Sequence, residues 1–333
     1  MKLYFPPNNK AQGGTWQELH AQCAALAKTF VGSFQPDTVA GRKRSHAQVV
    51  PQEIHPYTAY REDMVKDPKL FIIGTFPPAS YLLTQLETAA IAVGRDIVKS
   101  RPMLDFYHGN DGMLWKCLSI PKASRKQCLD LLWEHGAVYA DIIASCAREH
   151  ITDTSDVKLH NILLNQPLMN EVLDRDDKPH LWFTSASVFN SKGLEVHVKK
   201  GDSGAPGNVR IATRDPYSLF LRGLQDDGHR LAVRRDGRSE WVAVEAANRT
   251  ALAGFQNLSC HELRVQRGPD HRTQGVYKVY TGPSPSGAAA RQMGRHPLYT
   301  KWHAQNRQAT TPTMEFRSHL YAQFLRRTWR CAL

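Results

Sequence analysis

The sequence predicts an α/β fold, a three-layer sandwich around a central, mostly parallel sheet of four strands, with a β-rich insertion. Short apolar runs typical of buried parallel strands recur along the chain, and amphipathic helical patterns alternate with them. Between about residues 191 and 275 the pattern changes to short alternating segments separated by Gly, Asp and Pro. We interpret this stretch as an insertion into the α/β core.

The elements follow in chain order. We expect an N-terminal arm and helix over residues 1–65, followed by an α/β domain over 66–333 that the insertion 191–275 interrupts. Helices are predicted over about 80–93, over 124–135 before Gly136, and after a Thr311 cap with Pro312 at the first helical position. The four strands are predicted at 70–73, 137–143, 180–184 and 276–280.

Composition narrows the class of protein. A hydrophobic fraction of 41% over 333 residues is that of a globular chain with a buried core. No apolar run reaches the roughly 20 residues of a membrane span, and the start of the chain lacks the apolar core of a signal peptide. The six cysteines form no CxxC pair, which favours reduced thiols. We expect a soluble, cytoplasmic monomer without a metal or a cofactor.

Charge points to a polyanionic partner. The formal net charge is +12, the isoelectric point is about 9.5, and the segment 295–333 is strongly basic. Release of counterions from a nucleic-acid backbone would use such a surface. The alternative is an ordinary solvated face.

Four segments, in order, carry the residues that indicate chemistry. They are FIIGTFPP at 71–78, FYHGNDGMLWK at 106–116, GAVYADII at 136–143 with SCAR at 145–148, and GPSPSGA at 282–288. Together they resemble the uracil-DNA glycosylase superfamily, most nearly its mismatch-specific and hypoxanthine-excising branches. The resemblance covers roughly 66–190 and 276–330. It implies that DNA is the partner and that a base is flipped out and excised.

The resemblance also implies roles for individual residues. The water that attacks the sugar would be positioned by Asn110 or Asp111. In the family the Asn lies three residues before the Trp, where this chain has Gly112, so the choice stays open; the Gly-Asn-Asp-Gly sequence is also typical of a turn. Residues expected at the base are Gly74, Thr75, Phe76, Tyr107, Asp141, Thr184 and Ser185. Residues expected on the DNA backbone are Pro77, Pro78, Ser284, Ser286, Gly287 and Arg291.

Alternatives accompany several of these roles. Aromatic residues at strand ends are as often core residues, and Asp141 could instead cap a neighbouring helix. An Asp at a strand end that faces the base would accept a hydrogen bond from an exocyclic amine, as in the readout of cytosine. The small residues Thr184 and Ser185 leave room for a base larger than uracil. The leading hypothesis is therefore excision of a modified cytosine, such as glucosylated hydroxymethylcytosine of phage DNA.

Three other functions compete. A repair glycosylase would remove deaminated bases such as uracil or hypoxanthine, and a non-catalytic DNA sensor would keep the fold without the water-positioning group. A nuclease would need a cluster of metal-binding carboxylates, which the sequence does not display. The only Lys within the matched loops is Lys116, so a Schiff-base lyase step is not expected.

Overall fold

The fold is known from a computed structural model that describes residues 53–54, 65–76, 113–118, 125–148, 159–185, 196–198, 209–211, 215–253, 255, 260–267, 272–282, 294 and 298–332. The helices predicted in the N-terminal arm and over 80–93 lie outside these residues. Within the described part of the chain no helix is long and apolar enough to cross a membrane.

A mixed α/β architecture is confirmed, and its centre is a sheet that contains the four predicted strands. They are β2 (Leu70–Gly74), β3 (Ala137–Asp141), β6 (His180–Phe183) and β12 (Arg272–Thr281). These strands are parallel and lie in the order β12-β6-β2-β3. Their carboxyl ends therefore lie at one edge of the sheet.

The predicted count of four strands is wrong, because the sheet has seven. Three strands from the segment predicted as an insertion, β9 (Arg230–Arg235), β10 (Val242–Ala243) and β11 (Cys260–Arg267), extend it beyond β12. All three are antiparallel to their neighbours. The physical reason is the long β12, whose free side offers eight residues for pairing with β11. These three strands of the segment are thus part of the central sheet.

Helices cover both faces of the parallel part of this sheet, where the side chains point alternately to the two faces and are apolar on both. One face is covered by α3 (Gln166–Asp174) and α4 (Pro216–Asp226), and the other by α1 (Met113–Cys117), α2 (Arg125–Glu134) and α7 (Pro312–Ala332). The strand residues in the first core include Phe71, Ile73, Val138, Leu181, Phe183 and Val279. Those in the second core are Leu70, Ile72, Ala137, Trp182 and Tyr280.

Both helices predicted in the described residues are present, and their predicted boundaries agree with the structure to within one residue. α2 ends before Gly136, whose φ of 54° lies in the left-handed region that favours glycine. α7 begins at Pro312, and the Glu315 carboxylate accepts hydrogen bonds from the backbone N–H and hydroxyl of Thr311. α4 was not predicted, although Asp215 caps it and Pro216 opens it.

The remaining elements are small. β4 (Ile143–Arg148) pairs with β1 (Glu53–Ile54) and β5 (Leu159–Leu164) in a second sheet. The predicted strand 137–143 therefore divides at Ile142 between two sheets. Other short elements are β7 (Val196–Val198), β8 (Val209–Ile211), a 3-10 turn (Ala246–Asn248), α5 (Arg249–Ala253) and α6 (Tyr299–Gln305).

Candidate functional site

The candidate site is the carboxyl edge of the four parallel strands, where three of the four resembling segments end or begin. Backbone hydrogen bonds join the strand ends directly. The Ile142 N–H donates to the Gly74 carbonyl at 3.0 Å, and the Thr184 N–H donates to the Ile73 carbonyl at 3.0 Å. The Gly282 N–H donates to the carbonyl of the last residue of β6 at 3.2 Å. The fold thus brings Gly74, Asp141, Thr184 and Gly282, which are far apart in sequence, to one edge.

Gly74 lies against the side chains of Asp141 and Tyr139. In the parallel pairing of β2 with β3, Gly74 is opposite Asp141. A Cβ atom on Gly74 would lie 2.3 Å from the Asp141 Oδ1 and 2.7 Å from the Tyr139 Oη. No real side chain tolerates such contacts, so only glycine permits the carboxylate and the hydroxyl to approach the strand this closely.

Gly282 has a corresponding position at the end of β12. A Cβ atom there would lie 3.3 Å from the indole Nε1 of Trp182 and 3.7 Å from the Tyr321 Oη. Tyr321, on α7, is therefore part of the layer beneath this strand end. Along the strands, side chains at alternate positions share a face, which places Tyr139, Asp141 and Trp182 on the same side of the sheet. Tyr321 of α7 packs on this side.

Burial below the carboxyl edge of the sheet keeps the hydroxyl of Tyr321 protonated. Burial raises the pKa of Tyr321 well above its ordinary value, the nearby Cys117 raises it further, and Arg317 lowers it. Burial also raises the pKa of the Cys117 thiol to about 11. Arg317 is fully buried in the same layer. Both groups therefore stay neutral at physiological pH, with the buried Arg317 near them.

Asp141 is only 3% exposed, although it lies at a strand end. Its backbone carbonyl accepts from the Asn165 Nδ2 at 2.9 Å, and the Asn165 Oδ1 accepts from the Leu168 N–H to cap α3. The capping role considered for Asp141 thus belongs, for α3, to Asn165. Since water has little access to the Asp141 carboxylate, any group that contacts it interacts in a low effective dielectric.

The other described candidates differ in burial. Thr184 is buried at the end of β6, while Thr75 and Ser185 are partly exposed. Phe76 is buried in the core on the face opposite Asp141, which favours a packing role over stacking on a base. Trp115, from the second resembling segment, is also buried, in the core shared by α1 and α7.

Several predicted residues lie outside the described part of the chain. They include both candidates for the water-positioning group. The full set is Asn110, Asp111, Tyr107, Pro77, Pro78, Ser284, Ser286, Gly287 and Arg291.

Two residues of the site were not predicted from the sequence, Tyr139 and Tyr321. Tyr139 carries a usable signal, because it lies two positions before Asp141 in a strand and must share its face. Tyr321 has no such signal, since α7 reaches the edge only through tertiary packing.

No metal centre is found in the part of the chain that the structure describes, where no group of three or more His, Cys, Asp or Glu side chains is placed to hold an ion. In comparisons with known proteins, the chain matches no family model, no curated protein and no solved structure.

Proposed function

We propose that the protein is a monofunctional DNA glycosylase that excises a flipped-out modified base. One observation carries the proposal: Gly74, Asp141 and Gly282, from three of the four segments that resemble uracil-DNA glycosylases, meet at the carboxyl edge of the parallel sheet. Ligands of open α/β sheets bind at this edge. A flipped nucleotide is a ligand of suitable size for such a site.

The base favoured by this edge carries an exocyclic amine. The buried Asp141 carboxylate only accepts hydrogen bonds, so an amine edge would be bound and a carbonyl edge repelled. The Tyr139 hydroxyl, which approaches the same glycine, would add a second polar group at this edge. A cytosine presents such an amine next to acceptors, and the small side chains of Thr184 and Ser185 would obstruct a substituent on it less than bulky residues would. A modified cytosine is our leading substrate, and glucosylated hydroxymethylcytosine of phage DNA is the example to test.

Hydrolysis would proceed as in other glycosyl transfers, with positive charge developing on the sugar. A water oxygen bonds to C1′ while the bond from C1′ to the base nitrogen breaks. The electron pair of that bond leaves with the base, which takes up a proton, and the second water proton remains on the new C1′ hydroxyl. Asn110 or Asp111 would orient the water, and Tyr139 and other donors would offset charge on the leaving base.

The DNA backbone would be held beside the edge by the loop that follows β12. This loop carries Ser284, Ser286 and Gly287, whose hydroxyl and amide groups suit phosphate oxygens, and Arg291 follows. Pro77 and Pro78 would border the pocket after β2. The net charge of +12 favours association with DNA at a distance.

A strand-break assay tests the proposal. Duplexes with glucosylated hydroxymethylcytosine, uracil, hypoxanthine or no modification are incubated with the protein and analysed with and without alkali. We expect breaks in the modified-cytosine strand only after alkali, because an abasic site is the product. Breaks without alkali would indicate a lyase or nuclease. Binding without any break would favour a non-catalytic sensor.

Variants assign the roles. We expect either Asn110→Ala or Asp111→Ala to lower the rate by about 10²- to 10⁴-fold, as the loss of a positioned general base does. Full activity in both variants would remove this assignment. Asp141→Asn should weaken discrimination between amine-bearing bases and uracil by about ten- to a hundred-fold. Efficient excision of uracil by the unaltered protein would instead favour the deaminated-base repair function.

A further inference from the structure

A second basic surface lies on the antiparallel extension of the sheet. On β9 the side chains of Arg230 and Arg234 share one face, and in β11 and β12 the same face carries Arg264 and Lys278. Arg234 is opposite Glu262, and Glu262 is in turn opposite Lys278, so these three form a row across three strands. We call this surface, made of the four cations together with Trp241 and Val276, the basic sheet face.

Trp241 contacts two of the four cations of this face. The guanidinium carbons of Arg234 and Arg264 each lie 4.5 Å from the centroid of the Trp241 ring. Stacking on an indole uses the flat side of a guanidinium and leaves its N–H edge for an anion. Val276, opposite Arg264, is 38% exposed, so this face is in contact with solvent.

The two stacked arginines differ in their partners. Glu262 accepts a charge-assisted hydrogen bond from Arg234, and this hydrogen bond raises the pKa of Arg234. Arg264 has no ion pair among the described residues, and its Nε is buried without a hydrogen-bond partner. Lys278 likewise has no ion pair there. A guanidinium partly removed from water without an acceptor is destabilised, and an anion that binds its other N–H groups would offset part of that cost.

The basic sheet face lies on the same side of the sheet as Asp141 and Tyr280. Lys278 is four residues before Gly282 on β12, a distance of about 13 Å at the rise of an extended strand. Phosphates of a DNA strand are spaced about 3.4 Å apart along the helix axis. A backbone held at the carboxyl edge can therefore have further phosphates near this face within a few base pairs.

We propose that the basic sheet face is a second contact surface for the phosphate backbone of duplex DNA, with Arg264 and Lys278 as the phosphate-binding cations. The proposal rests on the proposed function for its choice of partner, but it concerns backbone binding and needs no base excision. It gives the strands of segment 191–275 a role in holding DNA beside the site.

Binding of an unmodified duplex tests this inference. The dissociation constant is measured by fluorescence anisotropy over a range of salt concentrations for the unaltered protein and for Arg264→Ala/Lys278→Ala. Each phosphate contact contributes about 0.9 to the slope of log K against log salt. Loss of two contacts should lower the magnitude of the slope by nearly 2 and weaken binding at low salt by at least ten-fold.

A charge-matched control separates contact from net charge. Lys126 and Arg222 are on helices, each in an i,i+4 ion pair with an Asp. Lys126→Ala/Arg222→Ala removes the same two charges and should leave the slope unchanged. An unchanged slope in Arg264→Ala/Lys278→Ala, or an equal fall in the control, would overturn the proposal. If the double variant fails to fold, Lys278→Gln alone should lower the slope by about 1.

The outcomes also distinguish this surface from the proposed activity. A fall in the slope without base excision by the unaltered protein would support the basic sheet face and count against the glycosylase. Base excision together with an unchanged slope would support the glycosylase and count against the basic sheet face.

Discussion

Gly74→Ala is the sharpest test of how the site is built. The added Cβ would lie 2.3 Å from the Asp141 Oδ1 and 2.7 Å from the Tyr139 Oη, so both side chains would have to move by about 1 Å to reach ordinary contact. Asp141 is buried and has little space for this. Overpacking of this kind costs about 1–3 kcal/mol, and the reduced entropy of the unfolded chain returns about 0.4–1 kcal/mol. We expect a net loss of roughly 0–2.6 kcal/mol in the free energy of unfolding.

Urea denaturation measures this loss, with Gly294→Ala as the matched control. Nothing lies within 4 Å of a Cβ on Gly294, so that variant should be neutral or slightly more stable. Gly282→Ala, with its nearest contact at 3.3 Å, should fall between the two. In an Asp141→Ala background the cost of Gly74→Ala should fall, because the closer of the two clashing oxygens is gone and only the Tyr139 Oη remains near the added Cβ. Additive costs in the double variant would refute the placement of the carboxylate against Gly74.

Two further predictions concern stability. Asn165→Ala should lower the free energy of unfolding by about 1–2 kcal/mol, because it removes the α3 cap and a donor to the Asp141 carbonyl. The control Asn170→Ala, at an exposed position, should change it little. Urea titration of both variants checks this. The Tyr217 Oη lies 2.6 Å from the His261 Nε2, and burial lowers the pKa of His261 to about 3. Because the unfolded chain then binds more protons, His261 should make stability fall from about pH 6.5 towards pH 3, by at most about 1.4 kcal/mol per pH unit. In His261→Gln the free energy of unfolding should depend less on pH over that range than in the unaltered protein. Identical pH profiles for the two proteins would contradict a buried neutral His261.

The parallel core could be predicted because its signals are local. The runs at 70–73 and 180–184 are apolar on both faces, as strands covered by helices on both sides must be, and the structure has β2 and β6 there. The cap at Thr311 and the Pro at 312 likewise mark the first turn of α7 correctly. The strand-end position of Asp141 is predicted by the resemblance alone, because the apolar pattern by itself continues the strand through Asp141 to Ile143. In the structure β3 ends at Asp141.

The rest depends on contacts between distant segments. An alternating strand such as β9 has the same sequence pattern in a separate insertion and in an extension of the central sheet, so its pairing with β11 could not be inferred. α4 was missed although Asp215 and Pro216 form a regular helix start, because the surrounding turns favoured a β-rich interpretation. The approach of Tyr321 to Gly282 joins residues 39 positions apart through packing of α7 and leaves no trace in either local sequence.

Mass spectrometry of the reaction products tests the central claim most directly. The protein is incubated in excess with a duplex that contains a single glucosylated hydroxymethylcytosine, and both the released small molecules and the intact strands are analysed. We predict one free modified base for each strand that loses the mass of that base and gains a hydroxyl, with Asp141→Asn releasing it at least ten-fold more slowly. An unchanged strand mass under conditions where the duplex is fully bound would contradict the account.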